Sequence, residues 1–229
     1  MKLIACLLLL SQFAFSQAYS ISQIAASSEP MGGNYVLMPD DAVSPQLNIG
    51  FEFCFWGNKY TKFYIGTNGW VGFSAGQPIA FTPFPIPTLN AFVPKNCIMS
   101  PFHDIHAGYP SQLNYISYYT TGIAPYRRLI VSYDNVPMYT CTAAKSTQQI
   151  VLFETSNVIQ TNIIVKRTCF NWVNGYAIHG LHNINGTQAI TVTGRNATAW
   201  GSPWVAPESW TFTPTSCQCP INFGVLNIY

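Results

Sequence analysis

The run "NIGFEFCFW" (48–56) sets the terms for the whole chain. Ile49, Phe51, Phe53 and Phe55 alternate with polar or small residues, the period of a strand with one face in a core and the other wetter. Comparable runs follow: "YTKFYIG", "GWVGFS", "LNYISYY", "RRLIVSYDNV", "QQIVLFE", "VIQTNIIV", "GYAIHGL" and "TQAITVTG". Gly, Pro and Asn separate them, and helical periodicity is almost absent beyond the first residues. "QQIVLFE" is apolar at four successive positions, which suits a central strand covered on both faces. Roughly nine or more strands at this spacing predict an all-β fold, an antiparallel β-sandwich.

The opening "MKLIACLLLLSQFAFSQAYS" has an early lysine, an apolar run from Leu3 to Leu10 and small residues after it. It reads as a secretory signal peptide over 1–16, too short to span a membrane, with Gln17 as the mature N-terminus. Cys6 lies inside the apolar run rather than after it, which argues against a lipid anchor. No later segment reaches membrane-span length, so no membrane insertion is expected. Net charge is +2 with no basic or acidic runs, and nothing favours nucleic acid.

Residues 17–45 then form an N-terminal extension with the first strand, and 46–214 the sandwich. Residues 215–229, ending "CQCPINFGVLNIY", read as the start of a linker or a following module, so a longer multidomain chain is expected. Two stretches are loop-like. "SAGQPIAFTPFPIPTLNAFVPKN" holds five prolines, which lack the amide a ladder needs. "GRNATAWGSPWVAPESW" crowds three tryptophans into one connection.

Seven cysteines become six once Cys6 leaves, and an even number in an exported chain reads as disulfides. "STQQIVLFETSNVIQTNIIVKRTC" is a hairpin turning near Ser156–Asn157, whose facing residues should sum to about 311 to 313. Cys141 and Cys169 sum to 310 and should meet at its open end. Cys54 with Cys97 is the second pairing expected; Cys217 and Cys219 are too close to allocate.

Three phrases in order carry a resemblance. "FWGNKYTKFYIGTNGWVGF" (55–73), "IMSPFHDI" (98–105) and "LIVSYDNVPMY…TQQIVLFE" (129–154) resemble nidogen-type extracellular domains. With "CFNWVNGYAIHGLHNINGTQAITVTGRN" and "SWTFTP", the spacing is similar to the N-terminal domain of Bacteroidota surface proteins. Those are adhesin-like or gliding-motility proteins exported by the type IX route. The resemblance covers residues 46–214 and implies a non-enzymatic adhesion or structural module with an extracellular protein or glycan partner. The physics of the phrases stands beside it. Asn68-Gly69 between apolar runs is a hairpin signal, Gly57 allows a tight exit from the Phe-rich strand, and Pro137 ends the strand holding Val131 and Tyr133.

The polar stretch "CIMSPFHDIH" (97–106) is the one that looks catalytic. A metal or general-base reading would use His103, Asp104 and His106, joined by His179 or His182. On a strand, however, His103 and Asp104 point to opposite faces, as do His179 and His182. No zinc spacing is matched, and the stretch is expected to be framework, with Asp104 capping a strand. No cofactor is expected beyond a structural calcium, for which Asp40-Asp41, Asp104 and Asp134-Asn135 offer oxygens. Nucleophilic catalysis and paired-carboxylate glycoside cleavage have no motif; Glu52 and Glu154 read as strand positions. Trp200, Trp204 and Trp210 are the ligand-binding candidates, since loop tryptophans stack on sugar rings when exposed and plug the sandwich when not. A carbohydrate-binding module is therefore the alternative function, and a metal-dependent hydrolase the third. Arg127, Arg128 and Arg195 read as surface charges.

Overall fold

The computed structural model describes residues 18–111, 114–201 and 206–215. The signal-peptide expectation, Trp204, Cys217 and Cys219 lie outside them. Thirteen strands in the described residues run, in chain order, β1 Tyr19–Ile24, β2 Asn34–Tyr35, β3 Leu47–Phe55, β4 Asn58–Gly66, β5 Trp70–Gly72, β6 Cys97–Phe102, β7 Ile116–Thr121, β8 Arg128–Pro137, β9 Lys145–Phe153, β10 Ile159–Val165, β11 Tyr176–His182, β12 Ala189–Ala199 and β13 Glu208–Pro214. They form two antiparallel sheets, ordered β1-β13-β10-β9-β8-β7-β2 and β12-β11-β6-β5-β4-β3. The expected antiparallel sandwich is what forms.

The main core lies between the sheets. Ile49, Phe51, Phe53 and Phe55 are all buried there, while Asn48, Gly50 and Glu52 are exposed, so the alternation read from β3 decides its facing. Each such burial contributes on the order of 2 kcal/mol. β3 turns into β4 through Trp56 and Gly57, both at positive φ, the geometry of a two-residue hairpin loop. β9 is central in its sheet and buried along its length apart from its ends, as its apolar run demands. It pairs with β10 at Leu152↔Ile159 and Ile150↔Thr161, a sum of 311, and Cys141–Cys169 bridges the hairpin's open end with Cα atoms 5.8 Å apart.

A second core lies on the other face of the six-stranded sheet. The proline-rich stretch over 74–96 covers that face, seating Phe81, Ile86 and Val93 against Trp70, Cys97, Met99 and Phe102. It is held by the Asn196 side chain, which accepts from the Ile86 N–H at 2.9 Å and donates to the Ile86 carbonyl at 2.7 Å, standing in for a ladder pair.

Cys97 is part of this second core as a free, fully buried thiol, and burial pushes its pKa above the usual thiol range. The expected Cys54–Cys97 bridge does not form. Two strands, β4 and β5, separate β3 from β6. At ~4.8 Å per strand the two cysteines stand roughly 14 Å apart, about twice the Cα separation a disulfide spans. Cys54 is itself disulfide-bonded, but not to Cys97.

The N-terminal segment behaves as a strap. β1 pairs with β13 at one edge of the seven-stranded sheet; β2 pairs with β7 at the other. Between them the chain crosses the sheet's outer face, strand by strand. Ser27 N donates to Ser209 Oγ of β13 (2.9 Å), and Glu29 N and O bond the Gln149 side chain of β9 (2.8 and 2.9 Å). Pro30 O accepts from the Tyr119 hydroxyl of β7 (2.9 Å). Ser132, Gln149, Asn162 and Ser209 are buried beneath it, each hydrogen-bonded to another of the four or to the strap, which is what makes a polar sheet face tolerable under cover.

Candidate functional site

The segment after β6 is organised by the turn between β4 and β5. Asn68 is fully buried. Its Oδ1 accepts from Ile105 N (3.1 Å), its carbonyl accepts from His103 N (3.1 Å), and its Nδ2 donates to Asp41 Oδ1 (2.7 Å). Gly69 adopts φ +87° and lies so close to β6 that a Cβ there would sit 2.1 Å from the Pro101 carbonyl oxygen. One Asn-Gly pair thus places both the acidic loop at 40–41 and the His-Asp-Ile segment.

From there the side chains alternate, as the strand reading requires. His103 enters the interior, fully buried, with Nε2 3.0 Å from Gln148 Oε1. Because Gln148 Nε2 donates to Pro101 O (2.9 Å), its Oε1 is the acceptor, which assigns the proton to His103 Nε2. Burial, and secondarily the Lys166 charge, hold His103 well below the usual imidazole pKa. Ile105 is buried, while Asp104 and His106 face the loops.

Asp104 meets Asp40 and Asp41 there: one carboxylate oxygen from each lies within 4.8 Å of the others. Trp172 Nε1 donates to Asp104 Oδ2 (2.6 Å), and His106 Nδ1 lies 3.5 Å from Asp40 Oδ2. Burial pushes the Asp104 carboxyl up to about 7 despite the Trp172 bond, and Asp41 and Asp40 push the same way. Asp40 is raised too, by burial first, with His106 opposing. The ligands expected for calcium thus narrow to Asp40, Asp41 and Asp104; neither His103 nor Asp134 joins them, and Asp134 instead accepts from Asn135 Nδ2 (2.9 Å). The three clustered oxygens, one from each carboxylate, are half or less of the six to eight that a calcium ion takes.

The sign of the pH effect follows. Asp104 binds its proton more tightly folded than unfolded, so its contribution to stability is complete below about pH 4 and is lost as pH rises through about 7. Asp104→Asn is expected to be neutral near pH 4 and to stabilise the fold by ~2 kcal/mol at pH 8, after allowance for partial exposure. Denaturant titrations at both pH values check this. Millimolar calcium that raises the wild-type midpoint at pH 8 but not that of Asp104→Asn assigns a cation to the cluster; an identical response assigns it proton binding alone.

The tryptophans form a seam between the sheets. The Arg195 guanidinium lies over Trp200 (4.2 Å) and Trp210 (5.3 Å), and it pairs in bidentate fashion with Glu208. Trp200 Nε1 donates to Ala177 O (3.3 Å), and both rings pack on the buried His179, whose Nε2 lies 2.9 Å from Thr161 Oγ1. His182 faces the other way, with Nδ1 2.8 Å from Pro94 O. Arg195 is therefore not a surface charge, and Arg127 and Arg128 are paired with Glu154 and Glu29. The sequence reading missed this seam because ion pairing across 13 residues carries no local pattern. Lys166 was missed for the same reason: it is buried, with its Nζ 5.2 Å from Trp200 and donating to Arg167 O.

Burial, then Arg195, pushes the Lys166 amine down to about 7. A lowered base binds protons less tightly folded than unfolded, so its contribution grows as pH rises from about 7 towards 10.5. Lys166→Met keeps the stem volume and removes the buried charge. It is expected to stabilise the protein by ~2 kcal/mol at pH 7, net of the lost hydrogen bond, and by less at pH 8.5. Chemical denaturation at the two pH values reads both.

The architecture defines a class: a disulfide-bridged, two-sheet β-domain in which the one polar stretch that looked catalytic is bonded into the frame. A family description, NIDO related, matches residues 14–218. The chain belongs to this NIDO-related family, which bears out the resemblance to nidogen-type domains. No curated protein and no solved structure matches the chain. Among the described residues, no helix is long and apolar enough to cross a membrane.

Proposed function

We propose that this chain is a secreted, non-enzymatic adhesion or structural module that makes cell–matrix or cell–surface contacts. The observation that carries this reading is the family match, which spans both sheets from β1 to β13. The chemistry of "CIMSPFHDIH" supports it. Fully buried His103 presents no nitrogen to a substrate, and Cys97 is a packed thiol whose pKa rises rather than falls, the opposite of a nucleophile's. The spacing of the phrases favours the adhesin-like surface proteins of Bacteroidota as its setting, with a signal peptide over 1–16. The carbohydrate-binding reading through loop tryptophans loses support, because Trp200 and Trp210 are engaged with Arg195.

Beads carrying the oxidised chain should adhere to surfaces coated with extracellular matrix, and beads carrying reduced, alkylated chain should not. Adhesion that is equal for the two preparations, or absent for both, would count against the reading.

A further inference from the structure

Where the strap leaves the seven-stranded sheet towards β2, its outer face holds an open groove of about 410 Å³. That volume lies in the range of small-ligand sites. Tyr119 and Thr121 of β7 and Arg128 of β8 line it on the sheet side, and Glu29, Met31 and the Gly32–Gly33 backbone line it on the strap side.

Two features define what it can hold. First, its charges cancel: Arg128 Nη2 lies 3.2 Å from Glu29 Oε2. An anion entering the groove meets Glu29 as well as Arg128, and a cation the reverse, so neither gains net Coulomb energy. What the groove offers instead is a carboxylate acceptor, guanidinium donors and the Thr121 hydroxyl at close quarters, a match for an uncharged polyol. Second, Thr121↔Arg128 is the last rung of the β7–β8 ladder, and the tip beyond it carries Ile123 and Tyr126 at 84% and 82% exposure. These are the most exposed large hydrophobic side chains among the described residues. Tyr126, two residues before Arg128 along the chain, offers a bare ring that can stack on the apolar face of a sugar.

We propose that this groove binds a neutral oligosaccharide, with ring hydroxyls bonded by Glu29, Arg128 and Thr121 and an adjoining ring stacked on Tyr126. This rests on the adhesion reading and names its ligand class; it also moves glycan recognition from the tryptophan connection to the outer face of the seven-stranded sheet.

The test applies the oxidised full chain to an array of neutral, sialylated and sulfated oligosaccharides, then titrates the bound ones in solution. Neutral members should bind, and Arg128→Met and Tyr126→Ala should each weaken them about tenfold. Tyr126→Ala changes an exposed tip residue, so its thermal midpoint should match the wild type and folding cannot account for its loss. Three results would overturn the proposal: no neutral oligosaccharide bound, a preference for the sialylated or sulfated members, or binding untouched by either variant. Beads that still adhere to enzymatically deglycosylated matrix while no oligosaccharide binds would sink the groove and leave the adhesion reading standing. Beads that adhere to nothing would remove both.

Discussion

Gly69→Ala is expected to cost about 4 kcal/mol, near the upper end of single-substitution effects. Two penalties coincide. The residue sits at φ +87°, where a Cβ is strained, and that Cβ would lie 2.1 Å from the Pro101 carbonyl oxygen and 2.6 Å from Gln148 Nε2. The first contact is with backbone, so relief requires β6 to move away from the β4–β5 turn. Asn68, its neighbour, would then lose its hold on Ile105 and Asp41. Gly76 supplies the control, because it has φ +71° with nothing within 4 Å of its Cβ position. Gly76→Ala should therefore cost only ~1 kcal/mol. Urea midpoints of the two variants separate the effects, and equal losses would mean that the close approach at Gly69 is not there.

The second large effect is loss of the Cys141–Cys169 bridge. It closes a separation of 28 residues, which on the chain-entropy account contributes ~3.5 kcal/mol through the unfolded state. The double variant Cys141→Ala/Cys169→Ala should show that loss in its unfolding free energy with little change in the native fold. Mutation rather than reduction is the right instrument, since Cys54 is also in a disulfide. A loss under ~1 kcal/mol would mean that the β9–β10 hairpin already holds the two ends together in the unfolded chain.

What could be read in advance divides by range. The facing of β3, the central place of β9, the Asn-Gly turn and the Cys141–Cys169 bridge are properties of one strand or one hairpin, where neighbours in space are neighbours in sequence. Alternation and a constant residue sum suffice for these. The Cys54–Cys97 pairing failed because it depends on strand order, and nothing local says that β4 and β5 intervene. The acidic cluster sits between the two cases. Asp40, Asp41 and Asp104 were recognisable as oxygen donors, but their meeting is arranged by Asn68 from a third segment, and Asp134 had equal standing as text. Arg195, Glu208 and the tryptophans show the same limit, because a cation between two rings is built from β12, the residue that follows it and β13, two strands in different sheets. Charge-poor composition hid it further: when so few residues are charged, each looks like ordinary surface until its partners are known.

The strap has a consequence for how the polypeptide reaches its final state. Tyr19 pairs with Pro214, 195 positions away, and the crossing segment leans on Ser209 before it touches anything on the far edge. A growing chain therefore has no place to put β1 until β13 has emerged. The residues of β1 wait, solvated, while every other ladder among the described residues can form. Closure comes as a single late event that joins the two ends of the domain, a high-contact-order step expected to be slow. Until β13 is in place the domain stays open along that edge of the sheet, and it is locked only when β1 and β13 have met.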